Sequence, residues 1–295
     1  MTALLQKIKS RVTIHAHRRV RGLLEGEYTS VFHGRSIDFD DVRHYVPGDE
    51  VKDIDWKATA RMGAPMTRRY IASRKHTLML IADTGRSMAA LAPSGETKRA
   101  ISVFAAGVLG YLATRHGDLV GVVAGDADHT EHRRPESTDA HLERVLQLIH
   151  RRTTLDSGAS DLASQLAFVA RSFRRRMVLV VLADDRMLTP VEIATVRRLA
   201  VQHEILWLTI ADADPMRTDW LDSSVVDVDA LGELPASVRG DRRLRERFAA
   251  STIERENGAR ALWSELGISR TRIESEADVV PALFRLLEVH RHARR

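Results

Sequence analysis

From Thr77 onward the chain alternates two kinds of hydrophobic pattern. Segments 77–82, 119–124, 177–183 and 204–210 are short and nearly continuously apolar. Strands buried on both faces read this way. Between them, apolar residues recur every three to four positions. Ile101, Phe104, Val108 and Leu112 make one stripe of a helix over 96–115. Leu142, Val145, Leu146 and Ile149 do the same over 139–151. Further helices are expected at 161–173 and 190–201. The second of these has a strong start signal, with Thr189 as N-cap, Pro190 at the first position and Glu192 closing a capping box. Val225 to Val228 reads as a short edge strand. The remainder reads as helical, with Val279, Val280, Leu283, Leu286 and Leu287 on a final apolar face.

Strands that alternate with helices need crossover connections. The expected fold is therefore α/β, a doubly wound, mostly parallel sheet covered on both faces. Ligands of such sheets bind outside the carboxyl ends of the strands. The residues following Ala82, Ala124 and Ala183 are accordingly where function is sought.

The text before Thr77 has a different character. Three parts are expected: a basic arm or helix over 1–21, a charged segment over 22–74, and the sheet domain over 75–295. In the charged segment, Val46-Pro47-Gly48-Asp49 is a turn signal. Asp53 is placed to cap a helix over 54–62 that Gly63 ends. Trp56 stands inside that helix and is expected to bury one face. Arg43, Asp49, Asp53, Asp55, Trp56, Arg61 and Arg69 are candidates for a structural ion-pair network or a partner-docking surface. A metal-dependent nuclease would need its acids and Lys57 on adjacent strand positions, and here they fall on an expected helix.

Composition narrows the classes. Of 295 residues, 44% are hydrophobic and 29% charged, which suits a buried core with an ordinary polar surface. No apolar run approaches the roughly 18 residues of a membrane span. No signal peptide is expected, so the cytoplasm is the expected location. The absence of cysteine excludes thiol catalysis, disulfides and thiolate metal sites. The net charge of +5 is uneven. Lys7, Lys9, Arg11, Arg18, Arg19 and Arg21 precede the first acid, beside Leu4, Leu5, Ile8 and Val12 at near-helical spacing. A solvated basic helix is preferred here over a nucleic-acid arm or a foot on an anionic membrane. With only 5% aromatic residues and no stacking residues among the basic ones, no nucleic-acid partner is expected.

The candidate chemistry sits after the first strand of the sheet domain, in Asp83-Thr84-Gly85-Arg86-Ser87. A carboxylate at a strand end followed by hydroxyl residues suits a hard cation such as Mg²⁺, which takes oxygen ligands and keeps several waters. Ser160 and Asp161, before a helix, and Asp184, after a strand, are expected at the same rim. The alternative role for Asp83 and Ser87 is to cap the loop. Arg86 is expected either to face solvent or to stand partly in the place of a metal. An aspartyl-phosphatase nucleophile at Asp83 would need a second Asp two residues on, where Gly85 stands. His129 and His132 lack the spacing of a zinc helix.

Asp83-x-Gly85-x-Ser87, then Gly158-Ala159-Ser160-Asp161-Leu162, then Asp184 resembles the metal-ion-dependent adhesion site of von Willebrand factor A domains. Gly85 stands where that pattern has a Ser, and Ser160 where it has a Thr. The upstream text is similar to the signature of the domain of unknown function 58 (DUF 58). The matching residues are Gly34-x-Ser36-x-Asp38-Phe39, Arg43-x-Tyr45-x-Pro47-Gly48-Asp49, Ile54-Asp55-Trp56-Lys57-x-x-Ala60-Arg61 and Arg69-Tyr70. The resemblance implies a von Willebrand factor A-like sheet with a smaller signature segment packed beside it. It implies a bacterial, non-catalytic adaptor that works with a MoxR-type AAA+ ATPase on a client protein. It implies Mg²⁺ as cofactor, held in a degenerate site by Asp83, Ser87, Ser160 and Asp184, with a partner carboxylate completing the coordination. Two rivals stand beside it. One is a metal-dependent hydrolase using Asp83 and Asp184. The other is a basic binder of nucleic acid or membrane surfaces acting through residues 1–21.

Overall fold

The computed structural model describes residues 4–15, 24, 26, 28, 41–46, 54–69, 75–220, 224–230 and 232–293. The basic start of the chain forms helix α1 (Leu4–His15). It is docked rather than solvated all round, because Leu5 and Ile8 join the core of the sheet domain. The backbone amides of Leu4 and Leu5 donate to the Glu143 carboxylate at 3.0 and 2.7 Å. That carboxylate satisfies two of the amides a helix start leaves open. Lys9 pairs with Asp139 at 2.5 Å, and Arg11 pairs with Glu276.

In the signature segment, β1 (Asp41–His44) runs antiparallel to β2 (Met66–Arg69). Between them lies α2 (Trp56–Met62). Its N-cap is Asp55, whose side chain accepts from the amides of Lys57 and Ala58 at 3.0 Å. The cap expected from Asp53 is thus supplied two residues later, and Asp53 itself lies outside the described residues. Gly63 ends the helix in the left-handed region, with φ at 69°. Trp56 is 67% exposed, against the expectation that one face is covered. A seven-residue helix with no buried position has no apolar stripe to turn inward.

Six strands form the main sheet: β3 (Thr77–Asp83), β4 (Leu119–Gly125), β5 (Thr130–Glu136), β6 (Val178–Asp184), β7 (Glu204–Ile210) and β8 (Ser269–Ile273). Their order is β5-β4-β3-β6-β7-β8, and every pairing except β4 with β5 is parallel. The chain therefore starts in mid-sheet, builds outward to one edge, then returns to β6 on the other side of β3. The reversal leaves a topological switch point between the ends of β3 and β6.

Seven helices of this domain are described: α3 (Lys98–Arg115), α4 (Asp139–Arg152), α5 (Leu162–Ser172), α6 (Pro190–Gln202), α7 (Ala236–Gly240), α8 (Arg242–Leu266) and α9 (Val279–Ala293). Strand side chains alternate between two cores. Leu78, Leu80 and Ala82 meet residues of α1, α3, α4 and α9, whereas Met79 and Ile81 meet residues of α5, α6 and α8. Both faces are dry, which is why these strands read as unbroken apolar runs. Burying each such Leu or Ile contributes roughly 1.5–3 kcal/mol.

The sheet edges differ from expectation. Val225 to Val228 adds no strand to the sheet; Val226 makes only an isolated bridge to Glu233. The edges are β5 and β8. β5 is largely exposed and carries charges and Pro135, devices that discourage further pairing, so its text lacks an apolar signal. β8 buries Ser269 and Ile273 at its ends and sets Arg270 and Arg272 between them.

Candidate cation and partner site at the switch point

β3 carries Asp83 to its carboxyl end, where the side chain is 1% exposed. One carboxylate oxygen, Oδ1, accepts from the Gly85 amide at 2.9 Å. The other, Oδ2, is buried without a hydrogen-bond partner. Burial pushes this carboxyl up to about 6, against the opposing influence of the Gly85 amide and the Ser160 hydroxyl. The chain then turns through a short 3₁₀ segment, Arg86–Ala89, that buries Ser87. Ser87 Oγ and Ser160 Oγ lie 2.6 Å apart. Ser87 also hydrogen-bonds toward Asp184 at the end of β6. Asp83, Ser160, Ser87 and Asp184 are therefore brought together as a continuous polar chain across the switch point.

The geometry explains Gly85. A Cβ built there would lie 2.5 Å from the N, Cα and Oγ of Ser160. The segment carrying Ser160 thus occupies the space that a serine at this position would need. That segment is held by backbone bonds, Arg86 N–H to Gly158 O at 3.0 Å and Ala127 N–H to Ala159 O at 2.8 Å. At Gly158 the atom nearest a Cβ would be the tip of the exposed Asp128 side chain, 2.6 Å away, which can move aside. Asp161 does not enter the site; it caps α5 by accepting from the Ser164 amide at 3.2 Å.

A residue outside the sequence motif completes the rim. The Lys98 side chain is fully buried, and its ammonium donates to both Asp184 and Asp212. Burial drives its pKa down, but the two carboxylates more than offset this, and the group ends above the ordinary lysine value. Asp184 is the mirror image. Burial pushes it up, the Lys98 charge outweighs that, and it ends below the usual carboxylate range. The Asp184 Oδ1 also accepts from the Asp185 amide at 2.7 Å. Arg86, expected to face solvent or to replace a metal, instead reaches Asp229 at 3.4 Å. Arg186 forms a two-pronged pair with Glu192, one contact of which is 3.0 Å. The one sequence signal for Lys98 is its place as the first residue of α3, where a cation opposes the helix dipole.

The signature residues lie elsewhere in the described structure. Asp55 caps α2, and Trp56 and Arg61 are exposed on that helix. Arg43 and Arg69 belong to the paired strands, Arg43 opposite Thr67 and Arg69 opposite Asp41. Asp49 and Asp53 lie outside the described residues. A separate group, Asp126, Asp128 and His129, draws together at the β4–β5 turn. There Asp126 Oδ1 accepts from the amides of Asp128 and His129 at 2.9 Å, as turn-forming aspartates do.

The fold and site define a doubly wound α/β protein with an oxygen-lined rim at its switch point. The family model described as "Protein of unknown function DUF58" matches residues 41–258, and the chain belongs to that family. Uncharacterized proteins of Mycobacterium bovis and Mycobacterium tuberculosis are 30% identical over 251 residues, covering 83% of this chain and 77% of theirs. Among solved structures, a von Willebrand factor type A protein from Catenulispora acidiphila matches 75% of this chain with a TM-score of 0.39 and 13% identity. The chain spans 43% of that protein's length. An aerotolerance-related membrane protein from Bacteroides fragilis matches 72% of this chain and 99% of its own, with a TM-score of 0.40 and 14% identity. The fold assignment rests on the strand order itself. Among the described residues, no helix is long and apolar enough to cross a membrane.

Proposed function

We propose that this chain is a non-catalytic protein-interaction adaptor, capturing a carboxylate of a partner through a divalent cation at the switch point. The observation that carries this is the buried, unpartnered Oδ2 of Asp83 beside the hydroxyls of Ser87 and Ser160. An all-oxygen donor set of this kind fits Mg²⁺, with waters in the remaining positions. Asp83, Ser87 and Ser160 would hold the ion, with Asp184 behind Ser87. When bound, Mg²⁺ supplies a positive centre that takes up an acidic side chain. Because Lys98 already engages Asp184, Asp83 would be the carboxylate left to the dication, and the ion's open coordination positions would take up a partner's acid.

A MoxR-type AAA+ ATPase is the proposed partner, with the captured carboxylate belonging to it or to its client. The rival roles find less support. The hydrolase would need Asp184 as a second available carboxylate beside Asp83, whereas the buried Lys98 ammonium already engages it. In the described part of the arm, Lys9 and Arg11 are engaged by Asp139 and Glu276, and Lys7 is exposed.

The test is capture of the purified ATPase by the purified chain, with Mg²⁺ or with EDTA, for the wild type and Asp83→Ala. Capture that needs both Mg²⁺ and Asp83 is expected. Capture indifferent to both, or none under any condition, would remove this role.

A further inference from the structure

Beside the rim, beneath α8, lies a cavity of about 490 Å³. It opens at the carboxyl ends of β6, β7 and β8, and Asp185 links it to the rim through its bond to Asp184. The buried pair Trp207 and Trp263, with ring centres 4.4 Å apart, lines it. Met187 and Ile253 also line it and are 46% and 63% exposed. Its size is that of a ligand site, roughly 300–1,000 Å³.

The polar lining is cationic and partly rigid. Arg270 donates to Thr209 Oγ1 at 2.9 Å, to Glu256 at 2.9 Å and to Asp185 at 3.3 Å. Arg272 donates to Asp185 at 2.9 Å and also pairs with Glu274. Those pairs consume the three acids of the lining. Arg186 is taken by Glu192. Arg255 and Arg260, both exposed on α8, have no ion-pair partner among the described residues. The buried Thr252 Oγ1 also lacks a hydrogen-bond partner. With Arg270 and Arg272 set against three acids, Arg255 and Arg260 leave the lining one net positive charge above an aromatic floor, with apolar side chains at its mouth.

We propose that this cavity docks a segment of a protein partner in which an acidic side chain stands next to a large apolar one. The two free arginines supply the complement for the acid. Exposed Met187 and Ile253 favour a polypeptide over a small ion, since a small ion would leave them in water. Arg, Trp and Met are also the residues that anchor protein interfaces. The proposal stands whether or not a cation occupies the Asp83 site.

The test pans a random peptide library on the full chain and on the double variant Arg255→Glu/Arg260→Glu. Both positions are exposed, so the variant is expected to keep the wild-type circular dichroism and melting temperature. Enriched peptides should pair Asp or Glu with a large apolar residue. Synthesised, they should bind the wild type roughly tenfold or more tightly than the double variant. With Trp56→Phe/Trp220→Phe as background, binding should alter the emission of the remaining Trp207 and Trp263. Restoring charge with Arg255→Lys/Arg260→Lys should recover most of the affinity. Enrichment without acids, equal binding by the double variant, or no enrichment would overturn the proposal. So would an emission change with inorganic phosphate and none with any peptide, which would assign the cavity to small anions.

Discussion

Asp83 and Asp184 stand on either side of one switch point, at the ends of neighbouring strands, and have opposite electrostatics. Asp83 keeps a buried oxygen without a partner, and its carboxyl is held up at about 6. Asp184 is gripped by a buried ammonium and held below the usual range. The fold has closed one half of the rim with its own cation and left the other half open. A buried carboxylate oxygen without a hydrogen-bond partner costs stability, which is what the proposed binding role would offset.

The largest test of this contrast removes the internal cation. Lys98→Met leaves Asp184 buried without its counter-charge, and breaking such a pair costs about 3–5 kcal/mol. Urea unfolding at pH 7 should show that loss. A loss under about 1 kcal/mol would mean the ammonium is not the partner that holds Asp184.

The second test acts on the open half and has the opposite sign. The Asp83 carboxyl is raised from 3.8 to about 6 on folding. The folded chain therefore binds this proton more tightly than the unfolded chain. The resulting stabilisation is complete below 3.8 and is lost as the pH rises through about 6. The interval corresponds to about 3 kcal/mol. Asp83→Asn is neutral throughout. With EDTA present it should exceed the wild type by about 3 kcal/mol at pH 8 and match it near pH 3.5. Equal stability of the two proteins at pH 8 would contradict a desolvated Asp83.

A smaller effect is expected from restoring the pattern at position 85. Gly85→Ser adds the hydroxyl of the adhesion-site motif but drives its Cβ into the Ser160 backbone. Overpacking of this kind costs about 1–3 kcal/mol. By displacing Ser160, it should also weaken cation binding. Tighter Mg²⁺ binding in calorimetry would show that the loop yields and that the missing hydroxyl was the defect.

The sheet was legible because its central strands are dry on both faces. Runs such as 177–183, alternating with striped helices, have the length and apolar continuity of strands covered on both sides. The edges were not legible. β5 is polar because it faces water, and β8 is five residues long with charged side chains at its centre. The docking of α1 was hidden by a different cause. Leu5 and Ile8 are a thin apolar stripe on a basic helix, and only the core they enter distinguishes packing from solvation. At the rim, Asp83, Ser87, Ser160 and Asp184 were visible as a spaced pattern. Lys98 was not, since a lysine in sequence is by default a solvated charge. Its partners are 86 and 114 residues away, and no local pattern announces such a pairing.

The open half of the rim must accept a dication if the adaptor role is right, and counting bound Mn²⁺ by electron paramagnetic resonance at about pH 7.5 tests this most directly. One saturable Mn²⁺ per chain is expected, displaced by Mg²⁺ and absent in Asp83→Asn. No saturable Mn²⁺ in the wild type, or an equal amount in Asp83→Asn, would contradict it.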